Sequence, residues 1–192
     1  MKIGVLASQG AFAEHISILR QLDVEAVPVR LPEELKGVDG LIIPGGESTT
    51  ISRLMSAYNL VNEVATRARD GMPVFGTCTG MILMAKGISD NGVESLGLMN
   101  ISVKRNAFGR QRESFEAELS IPVLGEDPFP CVFIRAPVID TFDGGVKILA
   151  RLKDDIIVAA RQEKLLAMAF HPELTTDLRF HRYFLDIVTG DR

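Results

Sequence analysis

Residues 73–85 read PVFGTCTGMILMA. Residues 73–77 form a short apolar run of strand character, and 79–85 continue as helix-forming residues. Between them, Gly76-Thr77-Cys78-Thr79-Gly80 has the layout of a nucleophile elbow, G-x-S-x-G with cysteine in place of serine. Such a turn is sharp and its backbones crowd, so it asks for small residues on both sides. A strand that feeds directly into a helix is half of a βα unit, and repeated βα units build a parallel sheet through right-handed crossovers.

Upstream, the same alternation recurs. Residues 2–7 (KIGVLA) read as a strand punctuated by Ser8-Gln9-Gly10, and 11–22 place Phe12, Ile16, Leu19 and Leu22 at helical spacing. Residues 24–29 and 40–43 read as further strands, the second closed by Pro44-Gly45-Gly46. Ser48 is expected to cap a helix carrying Ile51, Leu54 and Met55, and a helix over 60–69 should stop before Gly71. Downstream the pattern changes. Strand candidates at 101–104, 115–121, 132–134, 146–152, 156–160 and 165–170 have few helices between them, which predicts antiparallel additions to the parallel core or a side sheet beside it. Residues 176–188 return to helical spacing. The expected fold is α/β, a central, mostly parallel sheet flanked by helices with antiparallel strands added in the second half. With no repeat or linker-like composition, residues 1–192 read as a single domain.

Composition narrows the function classes. Of 192 residues, 46% are hydrophobic and 24% charged, as in an ordinary globular chain. Twenty-one basic against 25 acidic side chains leave a net charge of −4, without the basic face that nucleic acid requires. The longest uncharged stretch, residues 71–85, is too short and too broken by Pro73 and glycines to span a bilayer. The N-terminus reaches polar residues too soon for a signal peptide. Two cysteines cannot form a stapled secreted framework, so a reduced, cytoplasmic enzyme with a working thiol is expected.

Cys78 sits at the centre of that uncharged stretch, at a helix start whose dipole favours a thiolate. The amide of Thr79 would face a developing oxyanion. The competing reading is a buried structural cysteine; Cys131, in Pro130-Cys131-Val132-Phe133, has no such frame and reads as core. A thiol nucleophile needs a base. His15 lies mid-helix and His181 lies in the terminal helix, whereas His171 ends an apolar run and is followed by Pro172-Glu173. Residues two apart in extended backbone project to one side, so Glu173 can orient one ring nitrogen while the other faces the thiol. Pro44-Gly45-Gly46-Glu47-Ser48 leaves a strand at the sheet edge where α/β sites form, and its glycines let backbone amides approach a ligand. Neither a nucleotide loop nor zinc-ligand spacing is present.

These motifs resemble the class I (triad) glutamine amidotransferases, which carry P-G-G-E-S (44–48), G-T-C-T-G (76–80) and H-P-E (171–173) in this order. Within that family the chain resembles the glutaminases of pyridoxal 5′-phosphate synthases, through Leu6 to Gly10, Gly45 to Thr50, Arg105 to Gln111 (R-N-x-F-G-R-Q), Ser114 to Ala117 and Phe133 to Pro137 (F-I-R-A-P). The resemblance implies Cys78 as nucleophile, His171 as acid/base and Glu173 as its orienting partner. It implies glutamine recognition by Gly46, Glu47, Ser48, Arg105, Ile134 and Arg135, and an oxyanion hole from the amides of Gly46 and Thr79. Thr79 stands where alanine is frequent. The implied activity is hydrolysis of L-glutamine to glutamate and ammonia, without cofactor or metal, with ammonia passed to a pyridoxal 5′-phosphate synthase subunit on which activity depends. A glutaminase serving another acceptor and a catalytically silent regulatory partner are the alternative readings. Arg105, Arg110 and Arg112 could suggest a phosphate patch, which Glu113 and Glu116 offset.

Overall fold

The computed structural model describes residues 1–89, 93–109 and 113–192. Arg110, Gln111 and Arg112, which belong to the R-N-x-F-G-R-Q block and the arginine cluster, lie outside the described residues. In chain order the first half forms β1 (Lys2–Leu6), α1 (Phe12–Gln21), β2 (Glu25–Val29), β3 (Gly40–Ile43), α2 (Ser48–Ala57), α3 (Leu60–Arg69), β4 (Val74–Thr77) and α4 (Thr79–Met84). The second half forms β5 (Ala85–Ile88), β6 (Met99–Lys104), β7 (Ser114–Leu119), β8 (Phe129–Ile134), β9 (Val138–Phe142), β10 (Lys147–Arg151), β11 (Ile157–Gln162), β12 (Leu165–Met168) and α5 (Arg179–Thr189).

Among the described residues, the main sheet runs β2-β1-β3-β4-β12-β11-β9-β6-β5, with β10 also paired to β11. From β2 to β12 every pairing is parallel. From β12 onward the pairings turn antiparallel, apart from β5 on β6. The central parallel strands are buried along their whole length, because helices cover both faces; β3 and β4 have no exposed residue. β6 and β8 instead alternate buried with half-buried or exposed residues, as strands with one face on the core do.

β7 and β8 form a separate two-stranded ribbon, so both forms of the expected antiparallel addition occur. The ribbon is held by aromatic packing: Phe133 stacks on Phe115 at 4.6 Å and meets Phe170 edge-on at 5.5 Å, while Phe129 meets Phe180 at 4.8 Å. α1 and α5 pack over Phe75 of β4, which touches His15, His181 and Phe184. No helix among the described residues is long and apolar enough to cross a membrane.

Three local differences have physical causes. α2 is capped by Glu47, not Ser48, because the Glu47 carboxylate accepts the amides of Thr49 and Thr50 at 3.1 and 2.7 Å. α5 starts at Arg179, later than residue 176, because Asp177 accepts the Arg179 amide at 3.0 Å. β5 and β9 are strands that side-chain patterning did not reveal: β9 (VIDTF) buries one residue, Ile139, and β5 follows α4 with no intervening turn.

Candidate active site

The registers of β3, β4 and β12 place Ile43 beside Gly76 and Met168 beside Thr77. The segments leaving these strands, 44–48, Cys78 and 169–173, therefore meet at one sheet edge. The Cys78 amide donates to the Met168 carbonyl at 2.8 Å, which ties the turn to β12. Cys78 itself has φ 49° and ψ −102°, a conformation L-residues rarely adopt and one that costs about 1–3 kcal/mol. Both flanking glycines are steric necessities. A Cβ on Gly76 would lie 2.6 Å from the Gly80 carbonyl carbon, and one on Gly80 would run into the Ile43 carbonyl.

The His171 amide donates to the Val132 carbonyl of β8 at 2.8 Å, and its ring lies beside Cys78 against Gly45. Its Nδ1 is 2.6 Å from Glu173 Oε1, which leaves Nε2 for the sulfur. Burial pulls the His171 pKa down, but the hydrogen bonds and charges of Cys78 and Glu173 outweigh it and hold the ring at about 10. The imidazole is thus protonated at neutral pH beside the sulfur. A side chain on Gly45 would strike the His171 ring and come within 3.2 Å of Cys78 Cβ, so only glycine permits this approach.

Facing the thiol is a cleft of about 340 Å³ lined by Gly46, Glu47, Ser48, Cys78, Thr79, Arg105, Ile134, Arg135 and His171, among others. The size suits a small molecule. The amides of Gly46 and Thr79 have no acceptor among the described residues, which leaves both donors free for a ligand oxygen. The loop that carries Gly46 is tied on both sides. Gly45 donates to Thr77 Oγ1 at 3.2 Å, and its carbonyl accepts from Ala11; Glu47 donates to Gln9 Oε1 at 2.8 Å. The Thr79 hydroxyl, absent where alanine stands, donates to the Gly46 carbonyl at 2.5 Å.

Residues 5–189 match the SNO glutamine amidotransferase family. The chain belongs to that family. Among its relatives, the pyridoxal 5′-phosphate synthase subunit PdxT of Pelotomaculum thermopropionicum is 59% identical over 186 residues, covering 97% of this chain and 94% of the relative. The subunit of the same name from Herpetosiphon aurantiacus is 58% identical over 190 residues, covering 97% of this chain and all of the relative. A glutamine amidotransferase of known crystal structure superposes with a TM-score of 0.92 at 50% identity, covering 97% of this chain and 98% of that one.

Seen within this glutamine amidotransferase framework, every expected site residue reaches the cleft except Glu173, which is buried behind His171. Glu47 lines the cleft, but its carboxylate is engaged with both Thr49 and Thr50, whose hydroxyls each donate at 2.6 Å. Those bonds, led by Thr49, hold its pKa at about 2 against the small opposing effect of burial. Glu47 thus shapes the loop through its cap, and its backbone is the part left to face a ligand. Arg105 and Arg135 have no ion-pair partner among the described residues, and Arg135 stands at the end of β8 with φ 42°. The Ile134 carbonyl lies 3.9 Å from the Cys78 sulfur. Cys131 is 1% exposed, and burial, reinforced by Glu118 and Asp177, pushes its thiol well up. Iodoacetamide is therefore expected to alkylate Cys78 alone in the native chain, with Cys131 reacting only after unfolding; peptide mass mapping reads both sites.

The sequence reading passed over two histidines. His15 and His181 are fully buried, joined Nδ1 to Nε2 at 2.9 Å, and His15 Nε2 lies 3.4 Å from Glu173 Oε2 and 3.3 Å from Thr77 Oγ1. All three histidines of the chain thus share one cluster. The available signal was position: His15 falls on the Phe12-Ile16-Leu19 face of its helix, where only apolar side chains belong.

Burial drives the pKa of His15 well down, helped by the charges of His181 and His171, and burial alone takes His181 to about 4. Both remain neutral in the folded chain while the unfolded chain takes up protons near pH 6.5, so stability falls as pH drops from about 6.5 to 4. His181 alone should contribute a loss of about 3 kcal/mol across that window, readable as a declining urea midpoint. A midpoint unchanged between pH 7 and 4.5 would contradict the neutral pair.

Proposed function

We propose that residues 1–192 act as one cytoplasmic glutaminase domain that hydrolyses L-glutamine and passes the ammonia to a pyridoxal 5′-phosphate synthase subunit in a hetero-oligomeric complex. The observation that carries this reading is the buried Cys78–His171–Glu173 array beside a cleft that holds two amides unpartnered among the described residues. In the reading, the Cys78 thiolate attacks the carboxamide carbon while His171 holds the proton. The amides of Gly46 and Thr79 take the oxyanion. His171 then protonates the departing ammonia, leaving a thioester, and activates the water that releases glutamate. Arg105 and Arg135, without an ion pair among the described residues, face the substrate's α-carboxylate, and Ser48 and Ile134 complete the cleft wall. The relatives' identity over nearly the whole chain supports the synthase as acceptor.

Ammonia release from glutamine, measured with the synthase subunit present, tests this. Wild type should release ammonia, and Cys78→Ala should fall by at least about 10⁴-fold. Robust release by the variant would remove Cys78 as nucleophile. No release by wild type beside a competent synthase would favour the silent partner.

A further inference from the structure

Glu173 Oε2 and His181 Nδ1 are buried side-chain atoms with no hydrogen-bond partner of good geometry among the described residues, and they stand at the two ends of the His15–His181 pair. A buried carboxylate oxygen left bare costs free energy, so the placement of a histidine nitrogen 3.4 Å away carries information. The groups that face His15 come from three parts of the fold: Glu173 in the segment after β12, Thr77 and Phe75 on β4, and His181 on α5, with His171, also after β12, near enough to act on its charge.

One proton lies on the His15–His181 axis, so two tautomer pairs are possible. If His15 carried it on Nδ1, its Nε2 lone pair would face the Glu173 carboxylate, and His181 Nδ1–H would be a buried donor with no acceptor. If His181 carries it on Nε2, His15 Nδ1 accepts, and the single ring proton of His15 sits on Nε2, within 3.4 Å of both Glu173 Oε2 and Thr77 Oγ1. Only an acceptor lone pair on His181 then lacks a partner. The second arrangement avoids both penalties of the first.

We propose that His15, held as its Nε2–H tautomer by His181, is a positioning residue that donates to the outer oxygen of Glu173 and fixes that carboxylate so its inner oxygen meets His171. The inference rests on the reading of Cys78, His171 and Glu173 as the reacting array and extends it by two buried histidines. His15 does not line the cleft, so its effect on the reaction passes through the groups it meets, Glu173 foremost. Thr77 joins the same centre to the substrate loop, since its hydroxyl oxygen also accepts the Gly45 amide. The side-chain network behind the nucleophile thereby orients Glu173 and anchors the Gly45 turn together.

Long-range ¹⁵N–¹H NMR of the full-length chain tests this directly, because only three histidines contribute signals. At pH 7, His15 and His181 should both be neutral Nε2–H tautomers and His171 an imidazolium; an Nδ1–H tautomer at His15 would overturn the proposal. His15→Leu should lower kcat about 10- to 100-fold with KM nearly unchanged, and should move the His171 titration to lower pH as Glu173 loses its orientation. His15→Gln, which keeps a donor on that side, should recover at least half of the lost kcat on a logarithmic scale.

A His15→Leu chain that folds but keeps wild-type kcat, or whose His171 titration is unmoved or raised, would sink the positioning role. If His15→Leu does not fold, the tautomer assignment in wild type and the His15→Gln kinetics still decide. Cys78→Ala separates the two levels: its activity bears on the nucleophile, whereas the tautomers bear only on the histidine pair.

Discussion

Glu173→Gln is expected to reduce glutamine turnover about 10³- to 10⁴-fold while the chain stays folded. Two histidine nitrogens converge on this side chain: His171 Nδ1 is hydrogen-bonded to Oε1 at 2.6 Å, and His15 Nε2 lies 3.4 Å from Oε2. A carboxylate offers an oxygen to each. A carboxamide offers one oxygen and one NH₂, so one of the two histidines must face a donor or change tautomer. Glutamine also carries no charge to balance the imidazolium, and burial would then lower the His171 pKa from about 10. Steady-state kinetics with the synthase subunit, together with an NMR titration of His171, check both effects. Near wild-type turnover with an unmoved His171 titration would show that Glu173 has no part in the reaction.

Gly80→Ala should have the largest effect on stability, a loss of at least about 4 kcal/mol, so that little folded chain accumulates. The added methyl would overlap the carbonyl of Ile43, a backbone atom of the buried strand β3, which cannot swing aside as a flexible side-chain tip could. Relief would require separating α4 from β3, and with it the turn that carries Cys78. Gly144→Ala is the matched control. Its Cβ would meet nothing within 4 Å, and the substitution should shift stability by no more than about 0.5 kcal/mol. Urea unfolding of both variants compares them; a Gly80→Ala chain as stable as Gly144→Ala would show that the elbow can open without cost.

Much of the parallel half is legible because its strands are short apolar runs set between amphipathic helices. Periodicity and turn residues mark such elements locally: β3 (Gly40–Ile43) and α3 (Leu60–Arg69) match their expected bounds. The antiparallel half is less legible. β9 gains its strand identity from its neighbours β6 and β11, and no pattern in VIDTF announces it. The cap of α2 shifts by one residue for a related reason. Ser48 has the right chemistry, but the reach of Glu47 to two amides and two hydroxyls decides the geometry.

The sequence by itself determined the α/β fold and the family, and it singled out Cys78, set between glycines at a strand–helix junction, and His171 with Glu173 two residues on. These are local matters, written within a few residues of each other, and the physics that demands them acts over the same distance. Only the tertiary structure decided what lies behind them. His15, Thr77 and His181 are separated from Glu173 by up to most of the chain, and each alone reads as an ordinary helix or strand residue. The packing of α1 and α5 across β4 removes water from all of them at once. In that buried space a second carboxylate oxygen, a hydroxyl and two neutral imidazoles are left to meet one another.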